Sequence, residues 1–270
     1  MILVNGAVSD TLGAADRGLA YGDGVFRTLA IRGGRPQSWT RHYHKLAWDC
    51  DAVSIPCPAE EVLRDELARL AAHEPGCAAK IIVTRGAGQR GYAPPSEVQP
   101  TRIVMSSALP RHPAEFVQSG VKVHLCSLRL GFQPALAGVK HLNRLENVLA
   151  RAEWSDPDIA EGLLFDGEGN VIGGTMSNLF IVERDGLATP DLSRCGVAGV
   201  TRDRVIEAAA SHRITCRVEQ FGLGRVLQAQ EVLLVNSLIG AWQVRALGDK
   251  AWARGTLVAS VRQWLDEEID

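Results

Sequence analysis

Short runs of aliphatic and β-branched residues, AKIIVT at 79–84, RIVM at 102–105, NLFIV at 178–182 and EVLLV at 231–235, alternate along this chain with segments whose apolar residues recur at helical spacing. The runs are too short for helices and rich in residues that suit a pleated surface, so they read as strands. That alternation commits the chain to a mixed α and β fold. The opening residues 1–4 lead into Asn5-Gly6, a pair that tolerates positive φ, which predicts a strand entering a tight hairpin. Helices are predicted over 39–53 and 58–73. In the second, Val62, Leu63, Leu67 and Leu70 share a face, with Pro58 near the start and Gly76 beyond the end.

Leu109-Pro110-Arg111-His112-Pro113 interrupts the pattern with two prolines, which disfavour helix and strand alike. The expected boundary lies there, between an N-terminal α+β domain over 1–110 and a C-terminal domain over 114–270. In the second part Val121, Val123 and Leu125 alternate as in a strand, and 161–172 (EGLLFDGEGNVI) reads as a hairpin. Helices are expected at 201–211 and 256–267. There is no repeat of fixed period and no low-complexity stretch.

With 270 residues and 46% hydrophobic content, the chain can bury the core of one large domain or two modest ones. The 29 basic and 31 acidic side chains nearly cancel and are interspersed, which argues against a nucleic-acid or membrane-surface partner and for a small molecule. None of Cys50, Cys57, Cys77, Cys126, Cys195 and Cys216 has C-x-x-C spacing. No zinc or other metal site is therefore expected, and the thiols read as reduced core residues. MILVNGAVSD lacks the basic and apolar regions of a secretion signal, and no apolar run is long enough to span a membrane, so a cytoplasmic location is expected.

Gly86-Ala87-Gly88-Gln89-Arg90-Gly91 formally matches G-x-G-x-x-G after a strand. A dinucleotide site needs a helix to begin there and an acidic residue further on; Ala93-Pro94-Pro95 follows instead. Lys140 follows the small, apolar stretch Leu136-Ala137-Gly138-Val139. Taken alone, such a lysine is commonly a surface residue with its stem laid along apolar neighbours. Burial would make it useful, because a desolvated ammonium yields its proton more readily, as an amine nucleophile must. Val197-Ala198-Gly199-Val200-Thr201 leads into a helix whose first amides and Thr201 hydroxyl suit a phosphate, or else supply an ordinary cap. Asn236-Ser237, just past EVLLV, is a second phosphate donor or merely a turn.

Three segments together resemble the aminotransferase class IV (fold type IV) pyridoxal-phosphate family. They are Asp16-Arg17-Gly18 through Tyr21-Gly22-Asp23-Gly24-Val25-Phe26, then Thr84-Arg85-Gly86 through Arg90-Gly91-Tyr92, then Leu130-Gly131-Phe132 through Lys140-His141-Leu142-Asn143-Arg144-Leu145-Glu146. The last two are similar to the aminodeoxychorismate lyase subgroup, and the likeness spans nearly the whole chain.

The resemblance implies an N-terminal α+β lobe, a C-terminal pseudo-barrel lobe, a pyridoxal 5′-phosphate site at their interface and a homodimer. The implied activity converts 4-amino-4-deoxychorismate to 4-aminobenzoate and pyruvate in folate biosynthesis. A branched-chain or D-amino-acid transaminase of the same fold, or a degenerate non-catalytic member, is the alternative. Lys140 would bind the cofactor covalently and Thr28 would assist proton transfer. Arg144 would stand near the phenolic oxygen, while Val200, Thr201 and Ser237 would hold the phosphate. Arg85 and Arg90, with Tyr92, would meet the substrate carboxylates, since a guanidinium pairs bidentately with a carboxylate.

Two positions depart from the family pattern. Lys45 stands where an arginine grips the phosphate, which keeps the charge and loses the fork. Gly173 stands where a glutamate contacts the pyridine nitrogen and makes the cofactor a strong electron sink. Transamination depends on that sink. A reaction that ends in a benzene ring draws much of its driving force from the substrate, so Gly173 argues for the lyase.

Overall fold

The computed structural model describes residues 1–267. It divides into two units, one formed by Met1–Pro110 with Val139–Asn143, the other by Arg111–Gly138 and the described chain from Arg144 onward.

In the first unit, burial alternates along the strand Gly24–Arg32: Val25, Arg27 and Leu29 are buried, while Phe26 and Thr28 are half-buried. Period two is what a strand imposes when one face is covered and the other is not. The strand pairs antiparallel with Cys77–Thr84, which pairs in turn with Thr101–Ala108; Ile2–Val4, Ala7–Val8 and Arg35–Pro36 complete a six-stranded sheet. The covered face packs on helices Trp39–Ala52 and Glu60–His73, with Leu29, Ile31, Ile81 and Val83 against Leu46, Leu63, Leu67 and Leu70. Asn5 and Gly6, at φ of +49° and +84°, make the hairpin turn that pairs Val4 with Ala7. Val62 does not share the buried face of its helix; it is 38% exposed, and Glu66 lies in the buried series with Leu63, Leu67 and Leu70. One residue of helix turns the chain by about 100°, which carries Val62 to the rim.

The second unit is a nine-stranded sheet. It runs from Cys216–Glu219 through Gly186–Pro190, Asn178–Glu183, Glu231–Asn236, Gly240–Leu247, Val121–Leu130 and Ile159–Asp166 to Val171–Gly174, with Lys250–Ala251 beside Gly240–Leu247. Val171 N–H donates to the Phe221 carbonyl, 2.8 Å away, just past the first strand of that series. The sheet thus closes on itself as a pseudo-barrel. Successive residues of NLFIV and EVLLV serve different cores: Leu179, Ile181, Val232 and Leu234 pack inside with Trp242 and Val244. Phe180, Val182, Leu233 and Val235 pack outside against helices Val200–Ser211 and Leu257–Glu267. Burial on both faces explains why these strands carry no polar alternation.

The alternation at 121–125 holds as expected, but burial does not follow it to the end. Val121 and Val123 pack in the core inside the sheet, and His124 and Cys126 face Trp154 on its other side; Leu125 keeps the phase of Val121 and Val123 but is 41% exposed. The pairing with Ile159–Asp166 stays in register from Val123 to Leu125 and next shifts between Leu125 and Arg129, so Leu125 is exposed without any change of face. Among the described residues no helix is long and apolar enough to cross a membrane, and all six cysteines are free thiols.

The last helix is anchored electrostatically. Glu231, buried at the start of its strand, accepts from the main-chain N–H groups of Thr256 at 3.0 Å and Leu257 at 3.1 Å, as a capping carboxylate does. Glu231→Ala is expected to lose about 1–2 kcal/mol of stability in urea denaturation, with Glu231→Gln recovering part of it.

Candidate active site

Residues 139–143 form no helix or named strand of their own and take their order from the edge of the strand Gly24–Arg32. His141 bridges Val25. Phe26 N–H donates to the Lys140 carbonyl and Leu142 N–H to the Gly24 carbonyl, each at 2.9 Å. The Lys140 N–H donates to Asp49 Oδ1 at 3.1 Å. Held so, the Lys140 amine lies 4.6 Å from the centre of the Phe26 ring.

A second amine shares that ring: Lys80 Nζ is also 4.6 Å from its centre. Lys80 pairs directly with Thr28, and Phe26 lies two residues along, so Phe26, Thr28 and Lys80 occupy the open face of the sheet. Burial pushes the Lys80 ammonium down from its ordinary range. The sequence reading missed Lys80, although a lone charge within AKIIVT marks the strand's less buried face.

Behind the strand, on the helix side, Arg27 and Asp49 form an ion pair with side-chain exposures of 2% and 0%. Burial pushes the Asp49 carboxyl up, against the opposing pull of Arg27 and of the Lys140 amide. Lys45, one helical turn before Asp49, lies over the Trp48 ring at 5.4 Å. Neither Arg27 nor Asp49 carries a sequence signal, since their meaning lies in burial and pairing.

The G-x-G-x-x-G segment has no helix behind it. Its glycines let the chain wrap the buried guanidinium of Arg17, which donates to the carbonyls of Gly91 at 2.9 Å, Tyr92 at 3.1 Å and Ala93 at 3.3 Å. A Cβ on Gly88 would stand 2.8 Å from the Arg17 side chain. Arg85, expected at the substrate, has all three nitrogens engaged: Nε on Asp23 at 2.8 Å, and the others on the Ser54 and Val53 carbonyls at 2.7 Å. It is a brace between loops. Arg90 is exposed, and Tyr92 is 85% exposed with its ring 5.4 Å from that of Tyr21.

In the second unit the helix Val200–Ser211 begins one residue earlier than expected. Gly199 is its cap and offers no side chain to the first amides. Asn178 fixes that start, accepting from Gly199 N–H at 3.1 Å and donating to the Val197 carbonyl at 2.8 Å. Thr201 is therefore not the cap residue; it is buried in the first turn with its hydroxyl 3.4 Å from that of Ser237. An uncapped helix start beside two hydroxyls is a donor set for an anion. Arg144 takes the cap position of the helix Leu145–Arg151.

Gly173 lies in the strand just before a turn organised by Glu161, which is 1% exposed. The Glu161 carboxylate accepts from the N–H groups of Thr175 at 3.0 Å and Met176 at 3.1 Å, and from the hydroxyls of Thr175 and Ser177. A Cβ on Gly173 would meet the Ser177 carbonyl oxygen at 2.9 Å, and one on Gly174 would stand 2.7 Å from Glu161. The turn as folded is closed to a glutamate at 173.

A two-unit α+β chain with a lysine on the sheet's open face and a pseudo-barrel behind an uncapped helix defines a class. The Amino-transferase class IV profile matches residues 24–247, and the chain belongs to that family. It is 34% identical over 247 residues to an aminodeoxychorismate lyase of Vibrio harveyi, covering 92% of this chain and 91% of that one. It is 44% identical to the 4-amino-4-deoxychorismate lyase structure from Pseudomonas aeruginosa, with a TM-score of 0.95 over 100% of both chains. A putative branched-chain-amino-acid aminotransferase of Methanocaldococcus jannaschii is 30% identical, with 82% of this chain and 77% of that one covered. The branched-chain aminotransferase structure from Escherichia coli shares the fold at a TM-score of 0.86 and 19% identity, over 99% of this chain and 94% of that one.

The Asp23 brace has a pH signature. Burial alone would raise the Asp23 carboxyl, but hydrogen bonds from Arg85 and Arg17 outweigh it and hold it below the usual carboxylate range. Its contribution is present above the unfolded value of about 4 and is lost as pH falls through the lowered folded value. Asp23→Asn should therefore cost roughly 1–3 kcal/mol at pH 7, and the gap to wild type should narrow on acidification in parallel denaturation curves. Gly173→Glu should lower the melting temperature, because the added side chain must displace the Ser177 carbonyl.

Proposed function

We propose that this chain is a pyridoxal-phosphate-dependent aminodeoxychorismate lyase, working as a homodimer in the cytoplasm to make 4-aminobenzoate and pyruvate from 4-amino-4-deoxychorismate for folate biosynthesis. The observation that carries this reading is the Lys140 amine over Phe26, with Lys80 and Thr28 on the same sheet face. The full-length likeness to the Pseudomonas aeruginosa lyase favours this reaction over transamination. The apolar stripe of Leu145, Val148 and Leu149, each at least 60% exposed, supports the dimer. Six free thiols suit a reducing compartment.

Each unit, taken by itself, holds groups that suit the cofactor: a primary amine for its aldehyde in the first, and an uncapped helix start with two hydroxyls for its phosphate in the second. Lys140 would hold it covalently. Val200, Thr201 and Ser237, with Lys45, would bind its phosphate, and Arg144 would stand near its phenolic oxygen. Bound there, pyridoxal phosphate supplies an electron sink for the carbon that bears the substrate's amino group.

The protein's own groups do the rest. The Lys140 amine, once neutral and released, takes the proton from C4 of the substrate. The C3–O bond breaks, the ring becomes aromatic, and Lys140 or Thr28 delivers a proton to the methylene of the departing enolpyruvyl group, which leaves as pyruvate. Lys80 and Arg90 pair with the two substrate carboxylates, the role that Arg85 cannot fill while it braces Asp23. Lys140→Ala is expected to lower 4-aminobenzoate release at least ~10³-fold, and Thr28→Ala roughly 10²-fold, in an assay coupled to pyruvate. Formation of a 2-oxo acid other than pyruvate from amino donors, without 4-aminobenzoate from aminodeoxychorismate, would assign the chain to the transaminases instead.

A further inference from the structure

The Arg27–Asp49 pair has a geometry that charge neutralisation alone does not explain. A guanidinium and a carboxylate left to themselves meet as two forks, one nitrogen to each oxygen. Here Arg27 Nε at 2.6 Å and a terminal nitrogen at 2.5 Å both meet Asp49 Oδ2. That leaves Oδ1 to accept the Lys140 main-chain N–H at 3.1 Å. Nor does stability explain the pair, because two fully desolvated charges are commonly worth no more than an apolar pair of the same volume.

What the pair does have is a position. Arg27 lies between Phe26 and Thr28 in sequence and points to the opposite, buried face. It fixes Asp49 on the helix Trp39–Ala52 behind the strand, and Asp49 reaches the main chain of a segment with no regular structure of its own. The Phe26–Lys140 and Leu142–Gly24 hydrogen bonds set the register of that segment along the strand. The Asp49 contact sets the peptide plane before Lys140, from which the direction of its side chain follows.

We propose that Asp49, anchored by Arg27, is a positioning residue for Lys140: it holds the Lys140 amide so that the amine is presented over Phe26, on the face that carries Thr28 and Lys80. The proposal rests on the reading of Lys140 as the cofactor-bearing lysine. It requires neither residue to touch substrate or cofactor.

The test compares Asp49→Ala, which removes the acceptor, with Asp49→Asn, which keeps an oxygen for the Lys140 amide. The readouts are the rate at which the apo-protein captures pyridoxal 5′-phosphate at Lys140, trapped with borohydride and located by mass spectrometry, together with kcat, KM and the melting temperature. Asp49→Ala should slow capture about tenfold or more and lower kcat by a similar factor, with KM changed less than about twofold, the expected result of misplacing a reacting group by a fraction of an ångström. Asp49→Asn should restore both to within about threefold. Capture and kcat unchanged in folded Asp49→Ala would overturn the proposal, as would failure of Asp49→Asn to restore them at equal melting temperature. Should Asp49→Ala not fold, the double replacement Arg27→Met with Asp49→Leu removes both charges together, and wild-type capture in that protein would also overturn it. Hydrogen exchange in the wild-type protein is independent of any variant: the Lys140 amide should be protected, and exchange at the unfolded rate would refute the contact. Capture at a lysine other than 140 in the wild type would instead defeat the functional reading on which the proposal stands.

Discussion

Residues 139–143 owe their structure to hydrogen bonds with Gly24, Val25 and Phe26, and the role proposed for Lys140 depends on that pairing. An amine on a flexible stem is presented in one orientation only if its backbone is fixed, and a segment without helix or strand cannot fix itself. Because side chains alternate along extended chain, a slip of one residue would turn Lys140 away from Phe26. The same alternation lets one strand do two tasks: Phe26 and Thr28 build the open face, while Arg27, between them, reaches back to Asp49.

Buried charges order loops elsewhere in the molecule by the same means. Arg17 collects three carbonyls of the glycine-rich segment, Arg85 ties Asp23 to the carbonyls of Val53 and Ser54, and Glu161 gathers the turn at 175–177. Each ion meets part of its hydrogen-bonding need with main-chain groups of the loop, so ion and loop stabilise one another. Loops held this way are stiff without a hydrophobic core of their own. The glycines are there because the charged groups lie too close to admit a Cβ at Gly88 or Gly174.

The fold itself does not choose the reaction. The branched-chain aminotransferase of Escherichia coli has nearly the same chain path at 19% identity, and a shared scaffold hosts different chemistry through its site. In this chain the turn after Gly173 is drawn together by Glu161, and the Ser177 carbonyl fills the space that a side chain at 173 would need. A carboxylate is kept in the region, but it organises the backbone.

The strands, the two principal helices of the first unit and the Asn5-Gly6 hairpin were legible because periodicity and turn chemistry are local properties. Lys140, Thr28 and Thr201 were singled out through motif resemblance, a record of chemistry rather than of geometry, and their roles are those proposed above. The partners of Arg85 and Asp49 were not legible. An arginine that binds a carboxylate of a substrate and one that braces a loop have the same residue type, and only the partners brought near by folding separate them. Val62 and Leu125 are exposed for a related reason: a period predicts which residues share a face, but not how far the rest of the fold covers that face. The sequence by itself determined which elements form and which side chains have useful chemistry. Tertiary structure alone decided which charges face each other, because burial and pairing arise between residues far apart along the chain.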